Sequence, residues 1–168
     1  MPDLLTHVLV AYAAATVASW RYEWLGPPYV TVAMMGAMIP DMTKARLLAP
    51  SYRVESLLGV PFDWFALHTA GGSVVAVLVG TLLVPSRHRR RVFVLLALGA
   101  ASHHLLDLLL INPSGHSYAV LWPLTGYEPP TPGLYLSTDR WPTIASGALA
   151  LLVGWVDARR PGDRGADG

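Results

Sequence analysis

The chain has 168 residues, which is enough for one domain. Hydrophobic residues make up 53% and charged residues 14% of it, whereas soluble domains carry about 25% charged residues, so the composition predicts a membrane protein. The sequence contains no cysteine, which excludes disulfides, thiolate zinc sites and cysteine nucleophiles, and its formal net charge of +1 gives no indication of nucleic-acid binding.

Five apolar segments follow one another along the chain, and their Ala- and Leu-rich composition without alternation predicts helices rather than strands. They are residues 4–20, 29–39, 65–84, 92–111 and 141–156. A membrane span needs about 20 apolar residues, with roughly 17 as a lower limit. The third and fourth segments meet this length, the first and fifth are marginal, and the second is short. The sequence predicts an all-α, integral membrane bundle of four to five helices in a single domain over residues 1–158.

Residues 112–142 form a connection rich in proline, glycine and aromatic residues, which is long for a compact bundle. Two interpretations stay open. The loop covers a functional site, with Trp122, Tyr127 and Tyr135 as lipid or substrate contacts, or it is a plain connector at the headgroup level. The composition of residues 159–168 predicts a disordered tail.

Ionisable side chains from four segments would collect at one end of the bundle, the end that holds the N-terminus, if all five segments cross a membrane. They are His7, Asp41, Asp63, His68, His103 and Asp107. Ionisable groups in membrane segments are costly, so a functional role is the first hypothesis. His103 and Asp107 are four residues apart on one predicted helix, share a face and can reach one ion together.

Lys and Arg are unevenly divided between the two ends. Eight of the twelve would lie at the opposite end, including the run of arginines within residues 87–91. The positive-inside rule then predicts a multi-pass protein with that end in the cytoplasm and the ionisable cluster on the extracytoplasmic side. We interpret the arginine run as a topology signal rather than a nucleic-acid site, because no basic domain surrounds it.

Histidine and aspartate ligands suit Zn²⁺, Mn²⁺ or Fe²⁺, and such a site with an open position activates water as a nucleophile. Structural alternatives stay open for individual residues. Asp41 and Asp63 are also suited to cap helices, and His104 points about 100° away from His103, either behind the ligands or towards another helix. Ser73 and Ser102 show no triad arrangement, so serine hydrolysis is disfavoured.

Four short motifs occur in the same order and with similar spacing as in a known family. They are Leu5-Thr6-His7, Gly36-Ala37-Met38-Ile39-Pro40-Asp41, Ser102-His103-His104-Leu105-Leu106-Asp107 and Leu121-Trp122-Pro123-Leu124. With these motifs the chain resembles the YdjM-like membrane-bound metal-dependent hydrolases, most closely a haloarchaeal-looking branch. The resemblance implies a divalent metal, Zn²⁺ or Mn²⁺, held by the matching histidines and aspartates.

The sequence also departs from the family pattern. Where the family has H-R-G-x-T-H-S, residues 63–69 keep the second histidine as His68 and replace the first by Asp63. Asp63 is therefore a candidate catalytic base or further ligand. The family's threonine after the fourth-helix aspartate is Leu110, and Met42-Thr43-Lys44 replaces the acidic residues that follow Pro-Asp.

The leading hypothesis is a metal-dependent hydrolase in which metal-activated water attacks an ester or phosphoester, with a lipid headgroup as one candidate substrate. Its metal ligands would be His7, Asp41, His68, His103 and Asp107, and its partners membrane lipid and a lipid or small-molecule substrate, with no nucleic acid. The alternative is a non-enzymatic membrane protein in which the cluster is a structural hydrogen-bond network. A transporter ranks last, because polar groups do not continue across the predicted bundle.

Overall fold

The computed structural model describes residues 4–160 and is all-helical over that range, as the sequence predicts. The α-helices are α1 (Leu4–Ser19), α2 (Pro27–Met38), α3 (Ser51–Leu58), α4 (Ala70–Leu82), α5 (Ser86–Asp107) and α6 (Trp141–Arg159). Two 3₁₀ helices, Pro40–Leu47 and Trp64–His68, precede α3 and α4. The predicted tail begins at the last residue of α6, and its residues 161–168 lie outside the described range.

The third apolar segment does not form one long helix, so the prediction of a spanning-length helix over residues 65–84 is wrong. Thr69 has an extended backbone, and its side chain accepts a hydrogen bond from the backbone N–H of Gly72. This N-cap starts α4 at Ala70 and leaves it with 13 residues, or about 20 Å of helix. The preceding residues form the separate 3₁₀ helix that carries His68.

One helix of the described range, α6, has both the length and the hydropathy of a membrane span, with 19 residues and a mean hydropathy of 1.2. The apolar helices α1 and α4 are shorter than a span requires. Helix α5 has 22 residues, but its first two turns carry the arginine run. Within the described residues, length and composition therefore support one crossing.

The order of the helices gives the bundle two distinct ends. Thr6 Oγ1 lies 2.8 Å from Thr143 Oγ1, and Trp20 Nε1 donates to Asp157 Oδ1 at 3.1 Å, so α1 and α6 run parallel. Helices α2 and α5 run in the opposite direction and pack against each other, while α4 packs on α5. We call the end at His7 the ligand end and the opposite end the arginine end.

Glycines bring α2 and α5 into unusually close contact. A Cβ atom placed on Gly36 would lie 2.5 Å from the Leu96 carbonyl oxygen, and one on Gly99 would lie 2.2 Å from the Ala33 carbonyl oxygen. Backbones approach this closely only where side chains are absent. The contact sets the last turn of α2 beside the last turns of α5, which is where the polar cluster lies.

We expect Gly99→Ala to lower the thermal midpoint of the detergent-solubilised protein by several degrees. The added methyl group would overlap with backbone that cannot move alone, and overpacking of this kind costs about 1–3 kcal/mol. Gly147→Ala in α6 is the matched control, because nothing lies within 4 Å of its added Cβ. Alanine improves helix propensity by up to about 1 kcal/mol there. Equal midpoints for the two variants would contradict the close packing of α2 and α5.

Candidate metal centre

Three separate segments bring three histidines and one aspartate into direct contact at the ligand end. His68 Nε2 lies 2.8 Å from Asp107 Oδ2, His103 Nε2 lies 3.3 Å from the same oxygen, and His7 Nε2 lies 3.5 Å from Asp107 Oδ1. All four side chains are at most 1% exposed. The rings of His7 and His103 are stacked, with centroids 3.7 Å apart.

Asp41 joins the cluster from the start of the first 3₁₀ helix. Two sets of three residues have candidate ligand atoms within 4.8 Å of one another: His7, His103 and Asp107, and Asp41, His68 and His103. His103 belongs to both sets. The structure therefore brings together all five side chains that the sequence proposes as metal ligands.

Backbone carbonyls fix the orientation of two of the imidazole rings. His103 Nδ1 lies 2.8 Å from the carbonyl oxygen of Ala37, and His68 Nδ1 lies 3.0 Å from that of Pro40. A carbonyl oxygen only accepts hydrogen bonds, so each Nδ1 must be the donor. Ala37 lies in the last turn of α2, where carbonyl groups lack partners within the helix. Metal-binding histidines are commonly held in this way, with the second nitrogen free to bind.

The ring orientation has a direct electrostatic consequence. With Nδ1 protonated, the neutral rings of His68 and His103 turn their Nε2 lone pairs towards the carboxylate of Asp107, which also has only lone pairs to offer. In that protonation state the 2.8 Å contact between His68 Nε2 and Asp107 Oδ2 joins two acceptors, and a hydrogen bond there requires a second proton on the His68 ring. A cation held between them, or a second proton on a ring, removes the conflict.

Several buried atoms of the cluster have no hydrogen-bond partner. They are His7 Nδ1, His7 Nε2, Asp41 Oδ1, His103 Nε2 and Asp107 Oδ1. Buried polar atoms are nearly always paired, and an unpaired buried charge is especially costly. Nitrogen and carboxylate oxygen atoms are also the ligands that Zn²⁺ and Mn²⁺ take in proteins. The donor set therefore fits a divalent cation.

Asp41 is also paired with a lysine, Lys44, which is not among the ligands that the sequence predicts. Lys44 Nζ lies 2.7 Å from Asp41 Oδ2, and the Lys44 side chain is 45% exposed. Asp41 lies within the 3₁₀ helix and makes no cap hydrogen bond, so the helix-cap interpretation of this residue is wrong. The spacing of three residues within a turn is the signal that could have predicted the pair.

His104 faces away from the cluster into a second hydrogen-bonded group. Its Nε2 lies 2.9 Å from Ser73 Oγ, and its Nδ1 lies 2.9 Å from the hydroxyl of Tyr118. Burial, followed by the charge of Asp107, raises the pKa of Tyr118 well above its usual value, so this hydroxyl keeps its proton. Both ring nitrogens are occupied, and His104 therefore supports the helix packing behind the ligands.

Asp63 does not join the buried cluster. Its exposed side chain accepts a hydrogen bond from the backbone N–H of Phe65 at 2.9 Å and caps the second 3₁₀ helix, as one of the two interpretations of the sequence predicts. Asp63 also lines a cavity of about 290 Å³, together with Trp122. Its role as a catalytic base stays a prediction.

The long connection between α5 and α6 packs over the ligand end. The N–H of Ala70 donates to Val120 O at 2.7 Å, and that of Gly71 donates to Trp122 O at 3.0 Å. Tyr135 donates its hydroxyl to Leu106 O at 2.6 Å and is only 2% exposed. The prediction that Tyr135 contacts lipid or substrate is therefore wrong, because its ring supports the end of α5.

The fold and the site together define a class, namely all-helical proteins with a buried histidine and carboxylate cluster suited to a divalent cation. A family model described as YdjM inner membrane protein matches residues 1–163. The chain belongs to this family, which indicates a membrane location, and the resemblance of its motifs to the YdjM family is confirmed. No curated protein and no solved structure matches the chain.

Proposed function

We propose that the chain is a membrane-bound, metal-dependent hydrolase of phosphoesters or esters, with one or two divalent cations, Zn²⁺ or Mn²⁺, at the ligand end. The unpaired nitrogen and carboxylate oxygen atoms that converge there carry the proposal. A bound divalent cation supplies Lewis-acid activation of water and polarises the substrate oxygen. The ligands would be His7, Asp41, His68, His103 and Asp107.

The protein's own groups prepare this site in two ways. The carbonyl oxygens of Ala37 and Pro40 hold the rings of His103 and His68 with Nε2 directed into the cluster. Asp107, in contact with all three histidines, supplies the negative charge that a dication needs in a buried site. Both features are in place in the folded chain without rearrangement.

A basic cavity beside the cluster supports an anionic substrate. The cavity has a volume of about 300 Å³ and is lined by Thr43, Lys44, Arg46, Leu47 and Phe65. Lys44 connects it to the cluster through its ion pair with Asp41. Two cationic side chains at a metal centre favour a phosphoester over a neutral ester, because they bind the phosphoryl oxygens. A phospholipid headgroup at the membrane surface has this chemistry.

We further propose a multi-pass arrangement in which the ligand end faces out of the cytoplasm. Helices α1, α2, α4 and α5 would cross together with α6. Two observations support it: the helices alternate in direction so that the cluster collects at one end, and most of the arginines lie at the other. The short helices α2 and α4 would be completed by the segments that flank them.

The proposal is tested by hydrolysis assays on the purified full chain reconstituted with Zn²⁺ or Mn²⁺. We expect turnover of a chromogenic phosphodiester, and we expect Lys44→Gln to raise its KM about tenfold or more, since a hydrogen bond to a charged group contributes about 1.5–3 kcal/mol. The KM for a neutral carboxylic ester should change little. Metal content is measured in each sample. Bound metal without turnover of either substrate would contradict the hydrolase assignment and favour a structural metal.

A second candidate is a non-enzymatic membrane protein with the cluster as a structural network. Its supporting observation is the burial of the cluster, since His7, His68, His103 and Asp107 are at most 1% exposed. In this case the rings carry second protons and donate to Asp107. The two candidates differ in whether added metal raises the thermal midpoint of the protein.

A further inference from the structure

An open apolar groove runs along the outside of the bundle between α1 and α5. Its volume is about 520 Å³. Small side chains on α1, such as Ala14 and Ala18, leave the space, while Leu98 and Leu105 of α5 border it and are 60% and 64% exposed. The lining of α5 extends from residue 94 to residue 105, which is about 16 Å of helix. The groove is therefore elongated along α5 and accessible from the side.

Two aromatic side chains, Tyr22 and Trp24, line the groove towards the arginine end. An arginine guanidinium group stacks on each of the two rings. The guanidinium carbon of Arg21 lies 5.9 Å from the centroid of the Tyr22 ring, and that of Arg91 lies 5.3 Å from the centroid of the Trp24 ring. Arginines stacked on rings keep their N–H donors in a fixed plane, which suits the bidentate binding of phosphate.

Within residues 4–160, neither Arg21 nor Arg91 forms a salt bridge with a carboxylate. Other arginines of the run are already used by the protein, since Arg89 donates to Val84 O and Leu82 O. Glu23, which is near in sequence, lines a different cavity on the other side of α1. The end of the groove therefore has an excess of positive charge.

We propose that this groove binds one anionic phospholipid, with its phosphate at Arg21 and Arg91 and its acyl chains along α1 and α5. A phospholipid combines the two chemistries found here, a phosphate for the stacked guanidinium groups and a hydrocarbon chain for the groove. The site lies at the opposite end from the metal centre. It rests on the membrane location of the family and is independent of the hydrolase proposal.

The test is lipid binding to the delipidated, detergent-solubilised full chain, counted by native mass spectrometry during titration with phosphatidylglycerol or phosphatidylcholine. We expect one phosphatidylglycerol to bind at least fivefold more tightly than phosphatidylcholine. The double variant Arg21→Gln/Arg91→Gln should lower the phosphatidylglycerol affinity on the order of tenfold and remove the preference. Its metal content should equal that of the wild type.

Arg53→Gln is the matched control, because Arg53 stacks on Tyr52 with the same 5.9 Å separation but lies on α3, away from the groove. Ala14→Phe tests the acyl-chain site, since Ala14 is exposed and lines the groove, and a phenylalanine ring would occupy the space. It should weaken the binding of both lipids at least fivefold. Equal affinity for the two lipids, an equal effect of Arg53→Gln, or unchanged binding to the Ala14→Phe chain would overturn the proposal.

Discussion

His103→Ala is expected to reduce the bound divalent metal of the reconstituted protein from near stoichiometric to less than about a tenth of that level. Removal of residues that only orient a ligand typically costs 10–100-fold in metal affinity, and removal of a ligand should cost at least as much. His103 is the position with the largest expected effect because it belongs to both candidate ligand sets. Its loss therefore affects the site whether one or two ions bind.

The matched control for this experiment is His116→Ala. His116 is exposed in the connection between α5 and α6, and its Nδ1 donates a hydrogen bond to the carbonyl oxygen of Ser114 at 3.0 Å. Elemental analysis of the wild type and both variants after incubation with Zn²⁺ or Mn²⁺ gives the result directly. Circular dichroism reports whether each chain is still helical. Stoichiometric metal in a folded His103→Ala chain would count against the assignment of the ligands.

The grouping of the candidate ligands at one end of the bundle can be predicted from the sequence. The direction of successive helices decides which end of the bundle a residue occupies, so the apolar segments alone were enough to group His7, Asp41, His68 and Asp107. The face shared by His103 and Asp107 follows from the helical repeat. Helix direction and the helical repeat depend only on single segments and their order, so both can be read from the sequence.

The features that the sequence did not predict depend on contacts between distant parts of the chain. The break at Thr69 was hidden because the residues on both sides of it are apolar, and only the hydrogen bond to Gly72 shows where α4 begins. Tyr135 looks like an interfacial aromatic residue until the path of the loop places its hydroxyl on Leu106 O. Tyr118 lies 14 residues after His104 in that loop, and no periodic pattern links the two.

Asp107→Asn should have opposite effects on stability with and without metal. In metal-free protein we expect a thermal midpoint equal to or above that of the wild type. If the rings of His68 and His103 are neutral, they turn lone pairs towards Asp107, and an asparagine amide can donate a hydrogen bond where the carboxylate cannot. The substitution also removes a buried charge that lacks a full set of partners.

With metal present, the order of the two midpoints should reverse. A ligand at 100 times its dissociation constant stabilises the folded state by about 2.7 kcal/mol, which corresponds to a rise of roughly 5–10 °C in a domain of this size. The wild type should gain this amount on addition of Zn²⁺ or Mn²⁺, and Asp107→Asn should gain little, because it has lost the charge that balances the cation. Thermal unfolding in detergent, with a chelator and with excess metal, measures all four midpoints.

If the cluster is a structural hydrogen-bond network, the four thermal midpoints should follow a different order. If the rings are protonated and donate to Asp107, the substitution breaks a buried ion pair, and removal of one partner from such a pair costs about 3–5 kcal/mol. Asp107→Asn would then lower the midpoint strongly in the chelator, and the wild type would not respond to metal. The direction of the change in metal-free protein therefore decides whether the charge of Asp107 is balanced by protons on the histidines or requires a bound cation.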